Sequence, residues 1–239
     1  MEKRFFDIKY GNKPAQKVDI YVADSKKTVV YIHGGGIESG SKEYNALIEK
    51  LVSSGYSVVS VDYSLYPDTK FPEFIEDCAL ALKFAVDSVK TYGYGEEIAV
   101  FGCSAGAYIS LMLMFDGRFL AKYSLSPANF TGFIIDSAQP FAHFNVLRER
   151  GEDSFAVRID DAAPIYFLEK KDYGTKLVLI TYTEDISCRK EQNEVFDKTL
   201  DAYGIKHEFY VLKGGHVSGE NPDENGEIKV FPLIEKVYL

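Results

Sequence analysis

From about residue 28 onward, short continuous apolar runs alternate with longer segments of helical period, and few folds accommodate that pattern. The runs are "TVVYIH" (28–33), "YSVVSVDY" (56–63), "EIAVFG" (97–102), "TGFIID" (131–136) and "KLVLITY" (176–182). A strand apolar on both faces must be covered on both faces. Between the runs lie helical segments. "EYNALIEKLVSSG" closes at Gly55, and "CRKEQNEVFDKTLDAYG" closes at Gly204. Phe74, Cys78, Leu82, Ala85 and Val89 form one apolar row at helical spacing, with Pro72 just before it. "AGAYISLMLMF" is apolar nearly all round, which predicts a deeply buried helix. "HEFYVL" reads as the last strand. The alternation implies an α/β fold: a mainly parallel central sheet, helices on both faces and right-handed crossovers. Ahead of it, "RFFDIKYG" and "KVDIYVA" alternate apolar with polar residues, as two antiparallel strands would. "EIKVFPLIEKVYL" predicts a C-terminal helix interrupted near Pro232.

No linker-like stretch divides the 239 residues, so one domain over 1–239 is expected. The exception is 137–172, long and aperiodic between two strands, which reads as a cap or substrate-wall insert. Apolar residues make up 46% of the chain, enough for a sizeable core. A net charge of −9 argues against nucleic acid and anionic membranes as partners. No apolar run reaches the roughly 18 residues of a membrane span. Cys78, Cys103 and Cys188 are odd in number and widely spaced, which fits neither a disulfide framework nor a metal site. The N-terminus "MEKRFFDIKYG" lacks the apolar core of a signal peptide, so a reducing cytoplasm is expected.

In open parallel sheets, ligands bind beyond the carboxyl ends of the strands. Five chemistry-bearing segments follow strands: His33 with Gly34, Gly35 and Gly36; Ser104; Asp136; Asp185 beside Glu184; and His216. Ser104 stands in Gly102-Cys103-Ser104-Ala105-Gly106, the G-x-S-x-G pattern of a sharp strand-to-helix turn that presents a nucleophile. The helix start behind it offers free N–H groups to a developing oxyanion. Average glycine usage of about 7% produces this pattern by chance in roughly a tenth of chains this long. The pattern alone therefore does not decide between a nucleophile and an ordinary turn. An HGGG directly after a buried strand, two βα units earlier, is far more specific in combination. No G-x-G-x-x-G or G-K-[ST] supports nucleotide binding instead.

A serine hydroxyl needs a base. His207 starts a strand, at the wrong end of the sheet; His33 belongs to the glycine loop and more plausibly braces it; His143 lies in the insert. His216 alone follows a strand in the right chain order. Asp185 is the expected orienter, with Glu184 as rival and Asp136 third. Cys103 flanks the nucleophile, but a buried thiol there is expected to be inert packing.

The order Ser, Asp, His, together with "YIHGGGIESGS", "VDYSLYPDTKFP", "FGCSAGAYISL", "ITYTEDIS" and "GGHVSG", resembles the α/β-hydrolases of the hormone-sensitive-lipase-like esterase group over nearly the whole chain. The resemblance implies serine carboxylester hydrolysis without cofactor or metal. It assigns Ser104, Asp185 and His216 as the triad and the N–H groups of Gly35, Gly36 and Ala105 as the oxyanion hole. The chain departs from the pattern in three places: Ser64 stands where the family has arginine, the N-terminal helical cap is missing, and "TYTEDIS" lacks a glycine before the acidic pair. The expected partner is a small soluble ester, such as an acetylated sugar or an aryl ester, with a homodimer allowed. An amidase, an arylformamidase or a peptidase would use the same triad; a non-catalytic binding protein of this fold would usually have lost a triad member. In the insert, Phe141 and Phe144 are the candidate substrate-binding residues, with Phe155, Tyr166 and Phe167 as further wall candidates; most of the five are expected simply to pack the insert onto the body. Arg148, Arg150 and Arg158 are expected to pair with the acids around them, Glu149, Glu152, Asp153, Asp160 and Asp161.

Overall fold

The computed structural model describes residues 3–239. Eight strands form one sheet: β1 (Lys3–Lys9), β2 (Lys17–Val22), β3 (Lys27–Ile32), β4 (Ser57–Val61), β5 (Glu97–Cys103), β6 (Gly132–Asp136), β7 (Lys176–Glu184) and β8 (Glu208–Gly215). Their order is β1-β2-β4-β3-β5-β6-β7-β8. β1 and β2 pair antiparallel, as their alternation predicts, and β2 runs antiparallel to β4. Every pairing from β4 onward is parallel. The helices are α1 (Ala46–Ser53), α2 (Glu73–Asp87), α3 (Val89–Tyr92), α4 (Ala105–Phe115), α5 (Gly117–Ala121), α6 (Phe144–Glu149), α7 (Arg189–Tyr203) and α8 (Phe231–Glu235). None is long and apolar enough to cross a membrane among the described residues.

The two-sided apolar runs bury both faces. In β3, Val30 and Ile32 join the core under α2, α4 and α7, while Val29 and Tyr31 join the core under α1 and α8. All eleven residues of α4 are buried, as its unbroken apolarity predicts. Its approach to the sheet depends on two glycines. A Cβ on Gly106 would collide with the carbonyl oxygens of Ile32 and His33, and one on Gly102 with Gly106 O and Ser110 Oγ.

Three boundaries differ from the sequence reading. α1 starts at Ala46, later than expected, because Asn45 caps it: its side chain accepts the Ile48 N–H at 2.9 Å. The apolar row through Val89 is cut at Ser88, where α2 ends and α3 begins. Pro232 does not interrupt the last helix; it sits in the first turn of α8, where a missing N–H costs nothing.

The 137–172 insert lies between β6 and β7 and holds only α6 and a 3-10 turn, Pro164–Phe167. It is fastened at several points. Tyr108 O–H on α4 donates to Ala162 O at 2.8 Å. Glu149 accepts from Tyr66 O–H and, at 3.0 Å, from Phe71 N–H. Arg150 pairs with Asp160 and Asp161, and Arg158 with Glu152, as expected. Arg148 instead pairs with Glu38 of the glycine loop.

Gly106→Ala should destabilise the fold by about 3 kcal/mol, because backbone has to move to admit the methyl. Gly117→Ala, with nothing within 4 Å of the new atom, should stay within about 0.5 kcal/mol. Urea unfolding of the two variants checks the difference.

Candidate active site

The parallel strands bring the segments after β3, β5, β6, β7 and β8 to one edge. Ser104 occupies the turn between β5 and α4 with φ 51° and ψ −112°, a conformation rare for a residue with a side chain. Its N–H donates to Asp136 O at 2.8 Å, and its carbonyl accepts the first helical bond, from Tyr108 N–H at 3.0 Å. The turn is therefore held from the neighbouring strand and from the helix together.

His216 Nε2 lies 2.8 Å from Ser104 Oγ, and His216 Nδ1 lies 2.6 Å from Asp185 Oδ1. Of the three candidate orienters, Asp185 alone meets the imidazole. Glu184 is exposed, and Asp136 is wholly buried with its carboxyl turned to Tyr182. The Asp185 side chain is fully covered. Oδ1 also accepts from Ile186 N–H at 2.8 Å; Oδ2 accepts from Ser137 O–H and from Thr181 O–H at 3.2 Å. Burial opposes its ionisation, but the bonds from His216 and Ser137 outweigh that and hold its carboxyl below the usual range.

The other histidines do other things. His33 donates from Nδ1 to Gly34 O at 2.8 Å and stacks on Tyr63 at 4.4 Å, so it braces the glycine loop as expected. Burial pushes its pKa down to about 4. His143 is buried, caps α6 by accepting Asn145 N–H, and is held neutral by burial and by Arg189 and Arg148. His207 pairs with Asp197 at 2.9 Å, away from Ser104.

Gly35 and Gly36 take φ 99° and 67°, and Ala105 opens α4. Among the described residues their N–H groups meet no acceptor, so they are free to donate. Gly34 passes the elbow closely: a Cβ there would stand 3.1 Å from Ser104 Cβ. Phe144 lies against Gly36, with Cζ 3.2 Å from where a Cβ would stand. Phe141 is buried; Phe155 and Tyr166 are exposed, Phe155 at 89%. Tyr166 and Phe167 border a separate cleft with Arg118 and Glu169. Cys103 is buried, which pushes its thiol well above the usual range.

Several residues here carried no readable signal. Ser137 O–H bonds Asp185 and lies 2.9 Å from His216 Nδ1. Asn145 donates to Gly36 O and receives Arg148. Arg189, buried, donates to Ser137 O at 2.8 Å. Ser137 is the residue after β6, and its place at a strand end was the one available pointer.

Two outcomes test this geometry. Ser137→Ala removes a bond to a charged acceptor, worth about 1.5 kcal/mol, and should lower kcat/KM for any turnover at Ser104 about tenfold. His33 stays neutral when folded down to about pH 4, whereas unfolded it protonates near 6.5. Protonation therefore favours the unfolded chain, and stability is lost as pH falls through that window. Between these limits wild type should lose about 3 kcal/mol more than His33→Gln in denaturant titrations.

The BD-FAE family model matches residues 18–123, which include the glycine loop and the elbow. An acetyl esterase of Salmonella typhi is 33% identical over 90 residues, 36% of this chain and 28% of that protein. An arylesterase of Saccharolobus solfataricus is 40% identical over 81 residues, 33% of this chain and 26% of that protein. The chain thus matches little more than a quarter of the length of these relatives. Among solved structures, esterase B from Lactobacillus rhamnosis superposes with TM-score 0.77 at 20% identity, over 99% of this chain and 84% of that one. The chain has the α/β-hydrolase fold, and over less than half of its length its sequence is similar to the BD-FAE family model and to esterases.

Proposed function

We propose that this protein is a serine esterase that cleaves small carboxylic esters through an acyl-enzyme. The observation that carries the reading is the unbroken contact chain from Ser104 Oγ through His216 to Asp185. In this reading His216 Nε2 takes the hydroxyl proton as Ser104 Oγ attacks the ester carbonyl. The oxyanion is received by the N–H groups of Gly35, Gly36 and Ala105, each worth roughly 3 kcal/mol to the transition state. His216 then gives the proton to the leaving alcohol. It next takes one from water, which attacks the acyl carbonyl and frees Ser104. Asp185 stays ionised throughout, holds the Nδ1–H tautomer and stabilises the imidazolium.

A small acyl group fits best. The insert is tied to the glycine loop through Asn145 and Arg148, so it acts as a fixed wall. Phe144 closes that wall against Gly36. The acetyl esterase and arylesterase likenesses support the same substrate class. A reducing, cytoplasmic setting is supported by three free cysteines, with Cys188 exposed.

Hydrolysis of p-nitrophenyl acetate, butyrate and decanoate tests the reading. Wild type should turn over the two short esters and hardly the decanoate. Ser104→Ala should lose about 10⁵-fold in kcat with its fold intact by circular dichroism. Equal activity of the two proteins would remove Ser104 as nucleophile.

A further inference from the structure

One group of buried titratable side chains has no part in the chemistry above, yet it adjoins both ends of it. Asp136 ends β6, pairs with Cys103 and receives the Ser104 N–H on its carbonyl. Its side chain is wholly buried, and Tyr182 O–H donates to Oδ2 at 3.0 Å. Glu220 closes the turn Ser218–Glu220, four residues after His216. It is buried, and Tyr31 O–H donates to its Oε2 at 2.9 Å. The two carboxyl groups lie close enough to shift each other's protonation. Asp136 Oδ1 and Glu220 Oε1 are both buried, and neither has a hydrogen-bond partner among the described residues. Two carboxylates can bond to each other only through a proton, and two buried negative charges side by side repel.

The turn that carries Glu220 is under strain. Val217, next to His216, sits at φ 49° and ψ 21°, a left-handed conformation that a β-branched side chain strongly disfavours. Such a residue persists only where its surroundings over-determine it. Here Gly219 N–H donates to the Tyr182 phenol oxygen at 3.1 Å, Val230 N–H donates to Gly219 O at 3.2 Å, and Tyr31 O–H holds Glu220. These anchors reach β3 and β7 and, through the Tyr182 bond to Asp136, β6.

We propose that Asp136 and Glu220 share a proton and act as a positioning pair, tying the His216 turn to the strands that carry Ser104. This rests on the reading of His216 as the base. Neither carboxyl touches the reacting atoms; the pair acts through the placement of the imidazole.

The groups facing the pair are Tyr31 from β3, Cys103 from β5, Tyr182 from β7 and Asp185 beyond β7. Burial keeps the two phenols and the thiol neutral, and Asp185 adds negative charge. Burial, with the charges of Glu220 and Asp185, pushes Asp136 well above the usual carboxylate range, and burial pushes Glu220 up to about 7 against the opposing effect of Cys103, Tyr31 and Asp136. The folded pair therefore keeps protons that the unfolded carboxyls release, and its contribution to stability falls as pH rises from 4.5 through about 7.

The test uses the full chain and p-nitrophenyl acetate. Glu220→Ala should lower kcat at least about tenfold while KM stays within about twofold, because the base is displaced and substrate contacts are not. Glu220→Gln should recover most of that loss, since its amide can donate to Asp136 Oδ1 and accept from Tyr31. The infrared difference between wild type and D136N/E220Q at about pH 8 should contain a protonated-carboxyl band. Wild-type Tm should fall relative to that double variant between about pH 5 and pH 8. An unchanged kcat in Glu220→Ala, no rescue by glutamine, or no protonated-carboxyl band overturns the proposal. Ser104→Ala reports separately on the catalytic reading. If its hydrolysis equals wild type, the positioning role falls with that reading; if it is inactive while Glu220→Ala is merely slow, both stand.

Discussion

The close seating of α4 on the sheet is the contact on which the rest depends. With no side chain at Gly102 or Gly106, helix backbone reaches the carbonyl oxygens of Ile32 and His33. That approach forces the sharp turn at Ser104 and places the glycine loop after β3 beside it. The sheet order does the remaining work. β5 lies between β3 and β6, so the elbow has the glycine loop on one side and the Asp136–Ser137 strand end on the other. A side chain at either glycine would push the helix off the sheet and separate groups that now meet within hydrogen-bond distance.

Asp136 and Asp185 illustrate how partners, more than burial alone, set the state of a carboxyl. Both side chains are fully covered. Asp185 is met by an imidazole, two hydroxyls and a backbone N–H, and stays ionised. Asp136 is met by a phenol and by another carboxyl, and is driven toward its protonated form. An acid that orients and stabilises an imidazolium must carry charge, so the electrostatics favour Asp185 as strongly as the distances do.

Much of this was legible in the sequence, for identifiable reasons. Two-sided apolar runs have one common packing solution, so the parallel sheet, the buried α4 and the converging strand ends followed from periodicity. Ser104, His216 and Asp185 stood out because each follows a strand in a fixed order. What escaped was settled by contacts between residues far apart in the chain. Ser137 gains its role from a left-handed backbone at φ 59° that aims its hydroxyl at Asp185, and nothing in "IIDSAQP" announces that. Asn145 lies 109 positions from the glycine it holds, and Arg148 prefers Glu38, 110 positions away, over its acidic neighbours. Helix ends were misplaced where a local cap, Asn45, or a first-turn proline, Pro232, overrode the hydrophobic pattern.

One departure from the esterase pattern that the sequence resembles has local neighbours that matter. Ser64 cannot supply an arginine's charge, yet the buried Asp77 below it is not left alone. Lys13 comes within 3.2 Å, Gln16 donates at 2.7 Å, and the Ser64 N–H donates at 3.1 Å. A lysine from the β1–β2 connection thus supplies a cation to Asp77. On the insert, α6 places Phe144, Asn145 and Arg148 against the glycine loop. An insert that joins the body only through its ends can swing; this one is bonded to the glycine loop. Movement of the insert and deformation of that loop are therefore coupled, so in the proposed esterase a substrate that forced the insert outward would lose oxyanion donors. Selection against bulky acyl groups would then act on kcat as well as on binding, because in the proposed reaction the acyl-facing wall and the oxyanion donors would be held by the same side chains.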